Sequence, residues 1–258
     1  MTRMIQLLAG ALGLLTGVLA VEVSAAEVKV LSAGAMRAVL QELAPAFETA
    51  SGHKLKIEYA TAGVVEQKVA ADDEIDVAIL TRPRVDKLVR EAKIVGGTMK
   101  TLAIAQIGVA VKKGATKPDI SSVEAFKRAL LNAKSVAYAD PATGATSGAH
   151  LAQAVEKLGI SADLKPKTRL VSAGSAQGPR VGEAVARGEA EIGIQPISEL
   201  LEVEGIDVVG PELQSPDLVY VAGAPYVSEQ PIAAKALIDF LADPKAAAVY
   251  KAKGLQPG

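Results

Sequence analysis

Arg82, Arg84 and Arg180 stand in or beside loops otherwise built from small and hydroxyl-bearing residues, with Thr61, Thr143, Thr146, Ser147 and Gln177 as the polar members. Arginine offers a planar fork of donors that matches a carboxylate with two parallel hydrogen bonds. Hydroxyls and backbone N–H groups add neutral donors beside it. That combination suits a small organic anion. The stretch 139–158, ADPATGATSGAHLAQAVEKL, places several of these residues at the start of a helix. Leu151, Val155 and Leu158 recur at i, i+4 and i+7, one helical face, and Gly159 sits where the helix should stop. Thr146 or Ser147 then falls at the N-cap, where free N–H groups and the helix dipole favour an anion. A plain strand–loop–helix turn with a satisfied cap would use the same residues.

The elements that position these loops repeat one theme. An apolar strand at 28–31 leads through the small loop 32–35 into a helix with Met36, Leu40, Leu43 and Phe47 on one face. Pro45 lies inside that pattern and is expected to kink it or restart it. Strands follow at 55–59 and 75–80, with loops at 60–63 and 81–84, and then a long apolar strand is expected at 101–111. Further strands are read at 135–138, 168–172, 191–195 and 218–222, and two helices, 230–241 and 244–253, close the chain. Strands alternating with helices at this spacing predict an α/β fold with a mainly parallel sheet. In open α/β sheets ligands bind beyond the carboxyl ends of the strands. Loops 32–35, 60–63, 81–84, 140–148 and 174–180 are therefore expected to converge.

The 258 residues are 50% hydrophobic, with a formal net charge of −1. This suits one or two globular domains and excludes the basic excess of a nucleic-acid binder. Residues 1–26 differ in kind: Arg3 precedes an apolar run at 5–21, and Ser24-Ala25-Ala26 supplies small residues. That is the pattern of a cleaved export signal, with the mature chain starting near Glu27 in the periplasm. The run is at the short end for a membrane span. The chain has no cysteine, so disulfides, thiolate ligands, a cysteine nucleophile and cysteine lipidation are all ruled out. A mature chain of roughly 230 residues can bury enough core to manage without staples.

His53 and His150 are far apart and have no carboxylate cluster at metal spacing. Asp140, Ser147 and His150 lie too close along one loop for a hydrolase triad, and no G-x-S-x-G elbow accompanies them. Asp72-Asp73-Glu74 and Lys112-Lys113 read as solvated charges. The glycine runs match neither nucleotide-binding form. No metal and no cofactor is expected.

The segments EVKVLSAGAM, GHKLKIEYATAG, DEIDVAIL, AEIGIQP and LADPKAAAVYKAKGL together resemble the periplasmic molybdate-binding proteins of ABC transporters. The resemblance covers nearly the whole mature chain. It implies a two-lobe type II periplasmic binding fold with a ligand cleft between lobes. One lobe would be 27–105 plus 221–258 and the other 106–220, hinged near Ala105 and Val221. It also implies a monomer that hands a small anion to a membrane permease. The ligand positions it implies are Ala35, where the family has a serine; Thr61, Ala62 and Gly63, where it has a serine-rich loop; and Gln195, close to an expected tyrosine. With these departures, and with arginines near the loops, a di- or tricarboxylic acid is expected over molybdate or tungstate. A second reading is enzymatic. Aconitate isomerases share this broad fold and move a proton along an allylic tricarboxylic acid, which needs an acid/base group at the cleft. The candidates are His150, Glu58 and Tyr59, then Asp140 and Glu66.

Overall fold

A computed structural model describes residues 25–172, 180–211 and 218–258. Residues 1–24, most of the expected export signal at 1–26, and residues 173–179, Gln177 among them, lie outside the described residues.

Among the described residues, eleven strands form two sheets. They are β1 Glu27–Ala33, β2 Lys54–Ala60, β3 Val77–Thr81, β4 Lys100–Ala105, β5 Ile107–Lys112, β6 Val136–Ala139, β7 Thr168–Val171, β8 Ile192–Pro196, β9 Ile206–Val209, β10 Leu218–Gly223 and β11 Leu255–Pro257. The first sheet has six strands in the order β11-β4-β10-β3-β1-β2, and the second has five in the order β7-β6-β8-β5-β9. The helices are α1 Arg37–Ser51, α2 Ala62–Ala70, α3 Arg82–Arg90, α4 Val123–Asn132, α5 Thr146–Lys157, α6 Ser161–Leu164, α7 Val181–Ala186, α8 Ile197–Leu200, α9 Pro231–Leu241 and α10 Ala247–Ala252. None of the described helices is long and apolar enough to cross a membrane.

The α/β class and the two-lobe architecture are as expected, but three local readings need correction. Both sheets are mixed rather than mainly parallel. β1 pairs in parallel with β2 and β3, and β6 with β7 and β8. β10 runs antiparallel to β3 and β4, and β5 antiparallel to β8 and β9, because these are the strands by which the chain crosses between sheets and returns. The long apolar run 101–111 is two strands divided at Gln106, each buried in a different sheet. The Gln106 carbonyl accepts the Ile197 N–H at 2.9 Å, which fixes the break. Pro45 does not begin a new segment; it is exposed inside a helix that runs unbroken from Arg37 to Ser51.

The strand cores explain the stability of this frame. All of β3 and all of β8 are buried, as parallel or central strands covered on both faces must be. Helix α5 lies so close to β6 that a Cβ on Gly148 would stand 1.9 Å from the Ala139 carbonyl oxygen. Only glycine fits there, so the small residue at 148 serves packing.

Candidate functional site

A cleft opens between the sheets at the strand ends. Its charged lining consists of Arg37, Arg180, Glu199 and Glu202, and its neutral polar lining includes Thr146, Ser147, Gln195 and Tyr220. Each is placed by a short path from a strand. β1 ends at Ala33, one 3-10 turn covers Gly34–Met36, and α1 begins with Arg37. The Arg37 guanidinium lies over the Tyr59 ring, 4.4 Å from its centroid, which steadies a long cation at the cleft wall. β8 brings in Gln195, and α8 follows at once, so that Glu199 stands four residues on and faces the same way.

The N-terminus of α5 opens on this cleft without a cap. Its N-cap residue is Ala145, which has no side chain that can bond. Thr146, expected at the cap, is the first helical residue, and its buried Oγ1 has no partner among the described residues. Its own N–H and that of Ser147 are among the orphan donors of a helix start. Together with the dipole they form a receptor for an oxygen anion.

Glu199 is the deeply buried acid of the cleft lining. Burial pushes its carboxyl from 4.5 up to about 7, and the charge of Glu202 adds to the shift. The hydrogen bond from Gln195 Nε2 to Oε2 and the charges of Arg180 and Arg37 pull the other way. The group lies deep in the protein yet remains reachable from the cleft, its carboxyl resting against Gly34, where a Cβ would come 3.6 Å from Oε2. Arg180 Nη1 donates to Glu202 Oε2 at 2.9 Å, so its charge is partly matched already. Burial, and then the charge of Glu199, push the Tyr220 phenol up and keep it protonated.

The structure brings only some of the expected residues together. Thr61, Ala62, Thr146, Ser147, Arg180 and Gln195 line the cleft. The Thr61 hydroxyl is nevertheless engaged elsewhere: it accepts the Val64 N–H at 3.3 Å and donates to the Thr143 carbonyl at 2.5 Å. Beside it the Gly63 N–H donates to the Gly144 carbonyl at 3.0 Å. Thr61, Gly63 and Thr143 thus clasp one lobe to the other across the cleft mouth. The Thr143 hydroxyl itself donates to the Asp140 carbonyl at 2.7 Å. Ala35 is buried behind the 3-10 turn and is not among the lining residues. Arg82 is turned to the surface, where it donates to Thr101 Oγ1 at 3.1 Å. Arg84 is bonded to Glu66.

The expected bases fare no better. Burial opposes ionisation of Glu66, but hydrogen bonds from Lys87 and Arg84 outweigh it and hold the carboxyl below its usual range. Glu58 is exposed and paired with Lys68 at 3.7 Å. Burial pushes the Tyr59 hydroxyl up to about 12, well away from a base at neutral pH. Asp140 caps a 3-10 turn by accepting the Ala142 N–H at 2.9 Å. His150 lies in the second turn of α5 and is not a lining residue. Sequence reasoning missed Arg37, Glu199, Glu202 and Tyr220. The available signals were Arg37 one residue past the small loop SAGAM and the pair of glutamates in ISELLE directly after Gln195-Pro196.

Two α/β lobes enclosing a polar cleft at their strand ends define a solute-binding protein. The chain belongs to the bacterial extracellular solute-binding protein family, whose model matches residues 28–256. It is 36% identical over 236 residues to an aconitate isomerase from Pseudomonas sp., covering 88% of this chain and 87% of that one. It is 30% identical over 257 residues to the molybdate-binding protein ModA of Azotobacter vinelandii, covering 92% and 93%. Among solved structures, the Azotobacter vinelandii periplasmic molybdate-binding protein superposes with a TM-score of 0.71 at 19% identity, over 90% of this chain and 99% of that one.

Proposed function

We propose that this protein is an exported isomerase of the aconitate type, which interconverts cis- and trans-aconitate. The observation that carries this reading is Glu199, a carboxyl held near pH 7 inside a cleft built for an anion. A receptor that only captures an anion gains nothing from such a group. Two like charges 4 Å apart at an effective dielectric of roughly 20 repel by about 4 kcal/mol. An enzyme that removes a proton from carbon needs a base whose pKa is near the working pH. The likeness to the Pseudomonas enzyme supports the same reading.

Glu199 takes a proton from the methylene carbon of one isomer, and the electron pair spreads over the allylic system onto a terminal carboxylate. The N–H groups of α5 and Arg37 favour charge developing there. The proton then returns to the former vinyl carbon, so one C–H bond breaks, one forms, and the double bond moves by one position. Turnover requires Glu199 ionised, so kcat/KM should rise with pH through about 7. A second reading, capture of a di- or tricarboxylate for a membrane permease, is favoured by the uncapped α5 and the clasp between lobes, which serve a receptor equally well. In either case residues 1–26 direct export and are removed. The lobes meet near Gln106 and near the start of β10.

Proton NMR of cis- and trans-aconitate, in separate tubes with the purified mature chain, tests the proposal. Interconversion is expected, and Glu199→Gln should lower it by about 10²–10⁴-fold. Line broadening without turnover would make the protein a tricarboxylate receptor. Neither effect would remove the organic-acid reading altogether. The same variant has a stability signature. Because the folded state holds the Glu199 proton above its ordinary value of 4.5, the wild type loses stability as pH rises from there through about 7, by on the order of 3 kcal/mol. Glu199→Gln should therefore melt higher than wild type at pH 8 and close to it at pH 4.5.

A further inference from the structure

Gln195 is only 2% exposed, and its amide lines the cleft. The neighbouring carboxylate fixes which way round that amide lies, since its Nε2 donates to Glu199 Oε2. Its Oε1 is left buried, with no partner among the described residues. A buried carbonyl oxygen without a donor is costly and uncommon. A carbonyl oxygen can only accept, so the missing partner must be a donor. Arginines and helix N–H groups answer the oxygens of a carboxylate; an acceptor answers an O–H.

The charges in the cleft make the same demand. Arg37 and Arg180 face Glu199 and Glu202, two cations against two carboxylates among the described lining residues. A tricarboxylate entering as a trianion would leave three negative charges unmatched. Entering with one carboxyl protonated, it leaves two, and it brings the O–H that Gln195 Oε1 lacks. We propose that the cleft binds its tricarboxylate with one carboxyl protonated and that Gln195 is the specificity-determining residue that accepts this proton in a hydrogen bond while its Nε2 holds Glu199 in place. The inference rests on the organic-acid reading of the site. It also suits the chemistry, because a C–H conjugated to a carboxylic acid gives up its proton far more readily than one conjugated to a carboxylate. The acid proton stays on its oxygen throughout, and only the carbon-bound proton passes through Glu199.

The charged and titratable groups that face Gln195 are Glu199 and Glu202 from α8 and the turn after it, Arg37 from α1, Arg180 ahead of α7, and Tyr220 of β10. The test separates their protons from the ligand's. Binding of propane-1,2,3-tricarboxylate, which has no double bond to move, is measured by calorimetry in two buffers of different ionisation enthalpy, at a pH where the free acid is fully ionised. In Glu199→Gln, which cannot store the proton at 199, close to one proton should still be taken up per ligand. Adding Gln195→Leu should abolish that uptake and weaken binding about tenfold or more, whereas Gln195→Glu, nearly the same shape and an acceptor, should retain uptake. No uptake in Glu199→Gln overturns the inference, as does uptake that survives Gln195→Leu, which would belong to Glu202. Absence of any binding overturns it too. Turnover of aconitate without this proton linkage would overturn the inference alone and leave the isomerase standing.

Discussion

Helices α2 and α5 begin with nearly the same residues and end up with opposite roles. Each opens on a short run of alanine, threonine and glycine, Ala60-Thr61-Ala62-Gly63 in one and Ala145-Thr146-Ser147-Gly148 in the other. In α2 the threonine is the N-cap, extended at φ −67°, ψ 153°, and its oxygen accepts the Val64 N–H. In α5 the threonine comes one place later, inside the helix, and the N-cap is an alanine. A cap oxygen reaches the second or third N–H of the helix only from the cap position itself. One residue of offset therefore closes α2 on itself and leaves α5 open to a ligand. Closed α2 has a further use: Thr61 and Gly63 reach across to Thr143 and Gly144, in the loop that leads into α5. One helix end joins the lobes, and the other lines the cleft with no side-chain cap.

The sharpest way to break this pairing is Gly63→Ala. A Cβ on Gly63 would stand 2.6 Å from Gly144 Cα, and the neighbour is backbone of the opposite lobe, which cannot swing aside as a side chain would. Within its own lobe the change should help, since alanine is favoured over glycine in a helix by about 1 kcal/mol. The expected outcome is an undiminished melting temperature with lobes held apart. If the closed form falls to about 1% of the population, apparent ligand affinity falls about 100-fold. Calorimetry with propane-1,2,3-tricarboxylate and small-angle scattering of the free protein check this. Unchanged affinity and unchanged radius of gyration would mean that the contact does not govern closure.

A milder change should turn α5 into a second α2. Ala145→Ser puts a hydroxyl at the vacant cap, where it can accept the second or third N–H of the helix. The helix gains about 1 kcal/mol, the usual worth of such a cap. The ligand then competes with the protein's own oxygen for the same donors, so affinity should fall about tenfold while thermal stability rises. A rise in both would show that the ligand does not use this helix end.

Much of the frame was legible because its signals are local. The apolar runs at 28–31 and 75–80 and the Gly159 stop follow from periodicity and backbone chemistry, and they have counterparts in β1, β3 and the positive φ of Gly159. The loops expected after the two runs are shorter than read: Ser32 and Ala33 still belong to β1 and pass straight into a 3-10 turn, while Thr81 ends β3 and Arg82 already begins α3. The run 101–111 misled because both halves are buried, so hydropathy alone gives no hint that Gln106 divides them between sheets. The site was less legible. Arg82 and Arg37 both begin helices that follow strands of the first sheet, yet Arg82 turns outward to Thr101 while Arg37 lies over Tyr59 in the cleft. That difference arises in the third dimension and leaves no trace in spacing. Glu199 and Glu202 in ISELLE stand in no motif that marks them in the sequence. They reach the cleft because the start of α8 is bonded to the Gln106 carbonyl and the Glu199 carboxyl lies against Gly34.

The smallest expected effect tests whether the Thr61 hydroxyl has the two roles the comparison gives it. Thr61→Val keeps the shape and removes both hydrogen bonds. Loss of the cap should lower global stability by about 1 kcal/mol. Loss of the bond to the Thr143 carbonyl should weaken only the closed form, by about 1 kcal/mol, and so reduce apparent affinity about fivefold. Thr61→Ser keeps the oxygen and its proton and should restore both properties. The two effects are separable: urea unfolding of the ligand-free protein reads the cap, and the affinity ratio reads the clasp. If valine lowers stability and leaves affinity untouched, Gly63 and Gly144 hold the lobes without help, and Thr61 is a helix cap alone. If it lowers affinity and leaves stability untouched, the bond to Val64 at 3.3 Å is too long to matter, and the hydroxyl serves the other lobe.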